Sequence, residues 1–188
     1  FHGRRSVREL EPALNDRVCG GWHHETDSHL RPESLMAAWT QTAREKGVMI
    51  QEGCRLEGLD TRRDTVNGFL TSSGRFSADR FVLATGAWTT SIGRQIGLHL
   101  PVQPGKGYSI TMDRPAVCPR IPCYLYERNM VVTPWNSGFR LGGTMEFSGF
   151  NTGLNEKRLD NLEQSAALYM QTPLGRRETE RWTGLRPM

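Results

Sequence analysis

The clearest pattern of apolar and polar positions along the chain lies over residues 32–46. Leu35, Trp39 and Ala43 recur at helical spacing, a proline opens the segment and Gly47 follows it. Proline is favoured in the first turn of a helix, and glycine is favoured just beyond its end. The pattern therefore predicts an amphipathic helix over 32–46.

A second amphipathic segment covers about 155–170. Its apolar residues fall on one stripe, with Pro173 just beyond the end: Leu159, Leu162, Ala166 and Tyr169. This spacing again predicts a helix that buries one face.

Short apolar runs between the two helices are typical of strands. In the first half of the chain they cover 48–50, 55–60, 65–71 and a buried run at 80–85. A polar turn at Arg62-Arg63-Asp64 joins two of them, and Gly74 separates this ribbon from Phe76. The last run opens into Gly86-Ala87-Trp88, after which Thr89 or Ser91 is expected to cap a short helix. A strand, a glycine and a helix start in succession favour the approach of a phosphate or a polar ring edge.

The pattern changes at Leu100-Pro101-Val102-Gln103-Pro104, where two prolines argue against a central strand or a helix. We interpret this segment as a crossing between subdomains. Strand-like runs follow at 108–112, 123–126, 130–133 and 139–142, with Asn136-Ser137-Gly138 as a hairpin turn between the last two. We expect one antiparallel sheet over 108–147, with the 155–170 helix packed on one face.

Composition narrows the class of protein. The 188 residues carry 24 basic and 20 acidic side chains, a net charge of +4, and the basic pairs are dispersed without interleaved aromatics. We therefore expect no nucleic acid as a partner, although a small anionic ligand would suit this charge. No apolar run reaches the roughly 18 residues of a membrane-spanning helix.

Cysteine and histidine usage gives no metal site. Cys19, Cys54, Cys118 and Cys123 form no CxxC pair, so we expect reduced thiols in a cytoplasmic protein. One polar run could suggest metal ligands, but it matches no standard spacing, and a loop lining is favoured: His23, His24, Glu25, Asp27 and His29.

Arg186 stands on a Gly-Leu-Arg-Pro turn within the closing stretch of the chain. Its planar fork of donors can grip a carboxylate in two parallel bonds, and the following proline restricts its backbone. The alternative is a surface ion pair. An α/β part, a proline-marked crossing and an antiparallel sheet precede Arg186 along the chain. This order of elements suggests a two-part enzyme with its ligand between the parts.

Several short motifs occur together in this order: Glu11-Pro12-x-Leu14, Gly20-Gly21, Ala84-Thr85-Gly86-Ala87-Trp88, Leu100-Pro101-x-x-Pro104-x-Lys106-Gly107-Tyr108, Gly143-Thr144-Met145-Glu146 and Trp182-x-Gly184-Leu185-Arg186-Pro187. The set resembles the FAD-dependent amino-acid oxidoreductases, which include D-amino-acid dehydrogenase, glycine oxidase, sarcosine oxidase and D-amino-acid oxidase. The stretches Lys106-Gly107-Tyr108-Ser109-Ile110 and Gly149-Phe150-Asn151 resemble the short-chain-amine enzymes and the D-amino-acid dehydrogenases of that family. Of these two groups we favour the dehydrogenase.

The resemblance implies a fold class of α/β type (α+β, in two parts), with a partial FAD-binding-type domain and an antiparallel substrate domain carrying a packed helix. Residues 1–19 would be an edge of the substrate domain or a linker, and 20–100 the middle part of a split FAD domain. Residues 101–180 would be the substrate domain, and 181–188 the return to the FAD domain.

The same resemblance implies roles for individual residues. Arg186 would hold the substrate carboxylate, and Met145 would line the substrate pocket. Three tyrosines could present a hydroxyl to that carboxylate, Tyr108, Tyr124 and Tyr126, and we name Tyr126. Core packing for Met145 and a backbone partner for the tyrosine are the alternatives. For the cofactor, FAD, the implied contacts are Leu56, Ala84, Thr85, Gly86 and Trp88. An ordinary core residue and an ordinary strand-to-helix turn are the alternatives there.

One family feature is absent. No GxGxxG holds a pyrophosphate, because Gly105-Lys106-Gly107 is followed by Ile110 at the third position. We therefore expect an internal segment of a longer flavoprotein that is inactive alone and whose partners include the remaining parts of the FAD domain.

The reaction implied for the intact protein is oxidative deamination of D-amino acids or related small amino acids by hydride transfer from Cα to flavin. Its partners would be the amino-acid substrate and an electron acceptor, with a cytoplasmic location that could be peripheral to the inner membrane. The alternatives are a glycine or sarcosine oxidase that uses oxygen, and a non-catalytic binding module.

Overall fold

The computed structural model describes all 188 residues and divides them into two compact units. The first comprises Phe1–His29 and Gly105–Leu185, and the second comprises Leu30–Pro104 and Arg186–Met188. In chain order the elements are β1 (His2–Gly3), α1 (Arg4–Leu10), β2 (Gly20–Gly21), α2 (Pro32–Glu45), β3 (Leu56–Arg62), β4 (Thr65–Thr71), β5 (Gly74–Phe76), α3 (Thr89–Gly93), β6 (Pro104–Met112), β7 (Cys123–Leu125), β8 (Met130–Trp135), β9 (Gly138–Glu146), α4 (Glu156–Tyr169) and β10 (Glu178–Pro187). None of the helices is long and apolar enough to cross a membrane.

The first unit is built on a five-stranded sheet in the order β10-β6-β9-β8-β7. Strand β9 pairs antiparallel with both β6 and β8, and β7 pairs antiparallel with β8. Trp135 pairs with Gly138 across the hairpin turn at Asn136 and Ser137. The predicted antiparallel sheet is therefore confirmed.

Helix α4 packs on this sheet through Leu159, Leu162 and Ala166, which are all buried. The sheet admits the helix at Gly143, where an added Cβ would lie 3.0 Å from Leu162 Cδ2 and 2.8 Å from the carbonyl oxygen of Asn129. A side chain at 143 would push the helix away. The predicted helix and its placement on one face are both confirmed.

Glu11 fixes the loop that runs between β6 and β7. Its carboxylate is buried, with 1% of the residue exposed, and it lies against backbone rather than a cation. Oε1 accepts a hydrogen bond from Ala13 N at 3.0 Å. Oε2 accepts from Arg120 N at 2.6 Å and from Ile121 N at 3.1 Å. The carboxylate thus satisfies three backbone donors at once.

The second unit contains α2 and a three-stranded antiparallel sheet in the order β3-β4-β5. The helix is confirmed to within one residue of its predicted end, and Gly47 beyond it takes a φ of +81°, which suits glycine. The segment after Gly74 is a third strand of the ribbon and not a separate piece.

Two predicted strands are wrong. Residues 48–50 and 80–85 lie outside any sheet, and Val82 is 82% exposed. Apolar composition favours an extended backbone, but a strand also needs a neighbour to accept its hydrogen bonds, and neither run pairs with a strand of this chain.

Smaller corrections concern Tyr126 and Thr89. Tyr126 begins a 3-10 turn, Tyr126–Arg128, rather than ending a strand. Thr89 does not cap the short helix, since its hydroxyl donates back to the carbonyl of Gly86 at 2.7 Å, and no side chain caps α3.

Candidate functional site

Arg186 lies near the end of β10, is exposed, and pairs with no carboxylate of the chain. Its backbone position is nevertheless fixed. Met188 N donates to Gln103 O at 3.0 Å, and Gln103 N donates to Met188 O at 2.9 Å. An arginine with an anchored backbone and an unpaired guanidinium is available to a ligand carboxylate. That Arg186 holds the carboxylate of a substrate stays a prediction.

The strand that leads to Arg186 is also anchored. Thr183 Oγ1 donates to Gly107 O on β6 at 2.9 Å. Gly184 lies under the indole of Trp182, which occupies the space that a Cβ at 184 would need. The Trp-x-Gly spacing of this motif therefore has a packing cause, because only glycine leaves room for the ring.

Met145 lies in β9, directly after a distortion of the strand. Thr144 has a φ of +65°, and the register shifts between the pairs Lys106–Glu146 and Tyr108–Gly143. Three residues of β9 thus span the distance covered by two on β6, which defines a β-bulge. Met145 is 38% exposed, so one side of it remains open to a ligand.

Tyr126, the third residue predicted to meet substrate, is 76% exposed. Its ring packs edge-on against Tyr124 at 5.8 Å between centroids. Met145 and Tyr126 belong to the first unit, whereas Arg186 belongs to the second.

The sequence analysis did not single out a buried charge cluster beside the bulge. Lys106 is 1% exposed, and its ammonium donates to Gly153 O at 2.6 Å. The same Nζ lies 3.6 Å from Glu146 Oε1 and 5.2 Å from the ring centroid of Tyr108. The signal that could have found it is the strand alternation, which places Lys106 on the same face as Tyr108.

Glu146 is the centre of this cluster. Its Oε2 accepts from Tyr108 OH at 3.2 Å and from Arg158 Nε at 3.2 Å. A hydrogen bond from Ser148, followed by those from Tyr108 and Arg158 and the charge of Lys106, holds the pKa of the carboxyl below its ordinary value. The carboxylate is therefore kept ionised.

The predicted cofactor contacts all lie in the second unit, and their geometry suits the approach of a ligand. Gly86 takes a φ of +53°, and an added Cβ there would meet no atom within 4 Å. Ala84 and Trp88 are exposed beside it, while Thr85 Oγ1 lies 3.2 Å from Thr89 Oγ1. Leu56 opens β3 and is half-buried. An open backbone strip of this kind fits the edge of a planar cofactor, although no pyrophosphate-binding loop accompanies it.

The four cysteines are free thiols. Burial raises the pKa of Cys123 to about 12, whereas hydrogen bonds from Thr71 and Ser73 lower the pKa of Cys54. No group of three or more histidine, cysteine or acidic residues is placed to hold a metal. Two cavities of the first unit, beside α1 and beside the β8–β9 turn, contain none of the predicted site residues.

Comparison with known structures shows the same fold in larger proteins. Glycine oxidase from Geobacillus kaustophilus superposes with a TM-score of 0.88 at 22% identity, covering 100% of this chain and 50% of that one. Glycine oxidase from Bacillus cereus gives a TM-score of 0.85 at 22% identity, covering 100% of this chain and 51% of that one. L-proline dehydrogenase from P. horikoshii gives a TM-score of 0.79 at 16% identity, covering 98% of this chain and 51% of that one. The chain therefore spans about half the length of these structures.

A family model described as FAD dependent oxidoreductase matches residues 2–188, nearly the whole chain. FAD is the cofactor of that family, and the open turn at Gly86 fits it. The mixed helices and antiparallel sheets agree with the fold of the structures above. The chain belongs to the family of FAD-dependent oxidoreductases.

Proposed function

We propose that the intact protein oxidises D-amino acids or related small amino acids by hydride transfer from Cα to FAD. The observation that carries the proposal is Arg186, an unpaired guanidinium on an anchored backbone at the end of β10. Of the residues near that end of the strand, it is the one suited to hold a carboxylate through two parallel bonds.

The role of this chain in the reaction is mainly to position the substrate. Arg186 holds the carboxylate, which restricts rotation of the amino acid and orients its Cα–H. Met145 contributes an adaptable apolar contact for the side chain of the substrate, and Tyr126 offers a hydroxyl to the carboxylate. Bound FAD would supply the hydride acceptor.

The cofactor side of the proposal rests on the second unit. The backbone at Ala84, Thr85 and Gly86, with Trp88 and Leu56, would contact FAD where glycine allows close approach. We assign residues 20–100 to the middle of a split FAD domain and 101–180 to the substrate domain. The second unit supports the first assignment over residues 30–100, whereas residues 20–29 pack with the first unit.

A second candidate is a glycine or sarcosine oxidase that passes electrons to oxygen. Its support is the likeness in fold to two glycine oxidases, with TM-scores of 0.88 and 0.85. Both candidates use the same carboxylate contact, so they differ in substrate side chain and in electron acceptor.

The test is anaerobic reduction of the flavin in the intact, FAD-loaded protein by a panel of D-alanine, D-phenylalanine, glycine and sarcosine. We expect the D-amino acids to bleach the flavin fastest, with slow reoxidation by oxygen and fast reoxidation by a quinone or dye acceptor. Fast bleaching by glycine or sarcosine with rapid reoxidation by oxygen would favour the oxidase. No bleaching by any of the four would refute both candidates.

A further inference from the structure

Thr144 is a strained residue in an ordered strand. A β-branched side chain at a φ of +65° is rare, because the left-handed region crowds the Cβ substituents. Such strain persists only where the surroundings over-determine the backbone. The bulge that contains Thr144 turns the following residue, Met145, relative to a regular strand. Contacts on both sides of the bulge must therefore hold it.

On one side of the bulge the contact is apolar. Gly143 lies against α4 and β8, so that an added Cβ would be 3.0 Å from Leu162 Cδ2 and 3.0 Å from Met130 Cβ. This packing fixes the position of the strand before Thr144.

On the other side the contact is ionic. Glu146 follows Met145 and is held by the hydroxyl of Tyr108 and the guanidinium of Arg158. Lys106 adds its charge from the facing position of β6, and its ammonium also holds Gly153 O at 2.6 Å. The segment 147–154 that follows the bulge is thereby tied to β6 at its far end.

We propose that the Lys106–Glu146 pair is a positioning device that holds the strained bulge at Thr144 and so fixes the direction of Met145, the contact for the substrate side chain. The role given to Met145 rests on the proposed function. The claim that Lys106 holds the bulge does not, because it follows from the contacts within the first unit.

The physical argument is one of competing free energies within the strand. Strain at Thr144 favours relaxation of the bulge, and the contacts of Glu146 with Lys106, Tyr108 and Arg158 oppose it. When Lys106 is replaced by an uncharged residue, the contacts that hold Glu146 weaken while the strain at Thr144 remains. The strand then relaxes, and the surroundings of Met145 change. When Thr144 becomes glycine, the strain disappears and the bulge no longer needs these contacts.

The first test uses methyl NMR of methionine in the 188-residue chain. Met145 is assigned with Met145→Leu, and Met112, buried at the other end of β6, reports on the core. Lys106→Leu should shift or broaden the Met145 methyl signal while the Met112 signal stays in place. The matched control is Lys157→Leu, an exposed lysine on α4, which should move neither signal.

The double variant Lys106→Leu/Thr144→Gly should return the Met145 signal toward its original position. If Lys106→Leu does not fold, Glu146→Gln removes the same ion pair by a second route. It should again shift the methyl signal of Met145 and not that of Met112. A Met145 signal that stays unchanged in a folded Lys106→Leu or Glu146→Gln chain would overturn the proposal. So would a double variant that remains as shifted as the single one.

The second test uses the intact flavoprotein and measures selectivity. Glycine has no side chain to meet Met145, so its kcat/KM should change little in Lys106→Leu, while the ratio of D-phenylalanine to glycine should change by about tenfold. An active variant with an unchanged ratio would contradict the link to Met145. A wild-type protein that oxidises no amino acid would refute the proposed function instead, and the NMR result would stand separately.

Discussion

Glu11 offers the sharpest test of how the first unit is held together. Its two carboxylate oxygens accept three backbone N–H bonds, from Ala13, Arg120 and Ile121, at 2.6 to 3.1 Å. In Glu11→Gln one oxygen becomes an amide nitrogen that can only donate. The cheapest arrangement turns the remaining oxygen toward Arg120 and Ile121, and the N–H of Ala13 then faces another donor.

The expected cost follows from these contacts. A buried N–H left without an acceptor costs about 1–3 kcal/mol, and the other two bonds weaken when their acceptor loses its charge. Removing a buried charge recovers part of this, because the carboxylate no longer needs to be taken out of water. We expect Glu11→Gln to lower the free energy of unfolding by about 2 kcal/mol, within a range of about 1–3.

The assay is urea unfolding followed by circular dichroism, with amide hydrogen exchange as a local readout. A loss of about 2 kcal/mol would lower the unfolding midpoint by roughly 1 M urea. Glu9→Gln is the matched control, since Glu9 pairs with Arg5 where the two side chains are 63% and 93% exposed. Such a pair is worth about 0–1 kcal/mol.

The reasoning would be refuted if Glu11→Gln and Glu9→Gln unfolded at the same urea concentration. It would also fail if the amides of Arg120 and Ile121 exchanged at the same rate in Glu11→Gln as in the original chain.

Three further predictions concern thiols, pH and cofactor. Iodoacetamide at pH 8 should label Cys54 well before Cys123 in mass spectra, because at a pKa of about 12 only about one Cys123 thiol in ten thousand is ionised; equal rates would contradict this. The lowered pKa of Glu146 contributes stability that is present above the ordinary carboxyl pKa of about 4.3 and lost as pH falls through the folded value. Urea unfolding should therefore show that Glu146→Gln loses less stability than the original chain below pH 4, and an equal loss would remove the basis for this claim. The purified 188-residue chain should carry no stoichiometric FAD in its absorbance spectrum, because it has no pyrophosphate-binding loop; a yellow chain would count against that argument.

Elements whose signal is local could be predicted from sequence. Helix α2 is marked by a proline at its start and a periodic apolar face, and the β8–β9 hairpin by its Asn-Ser-Gly turn. Runs 48–50 and 80–85 have the composition of strands, yet pairing depends on what lies beside them in space. Composition alone could not supply that information.

The candidate site likewise contains residues that the local sequence predicts and residues that it does not. The Gly-Leu-Arg-Pro turn makes Arg186 visible in the sequence, because the arginine and its rigid setting are adjacent. The ion pair between Lys106 and Glu146 joins residues 40 positions apart in the sequence, and it depends on a bulge at Thr144 that the sequence did not predict. The sequence gives one indication of this pair, because strand alternation places Lys106 on the same face of β6 as Tyr108.

The most direct test of the central claim is the steady-state kinetics of Arg186 variants in the intact, FAD-loaded protein. Substrates are D-amino acids, each paired with the amine that lacks the carboxylate. Arg186→Ala should lower kcat/KM for the amino acids by roughly thirtyfold to several-thousandfold, which corresponds to about 2–5 kcal/mol for a truncated charge pair. Arg186→Lys should retain the charge but lose the planar fork, so its kcat/KM should lie between those of the original protein and Arg186→Ala.

FAD content should stay near normal in both variants, because Arg186 is assigned to the substrate and not to the cofactor. Turnover of the matching amines, already slow, should change little. If Arg186→Ala lowers the turnover of the amines as much as that of the amino acids, Arg186 does not hold the substrate carboxylate.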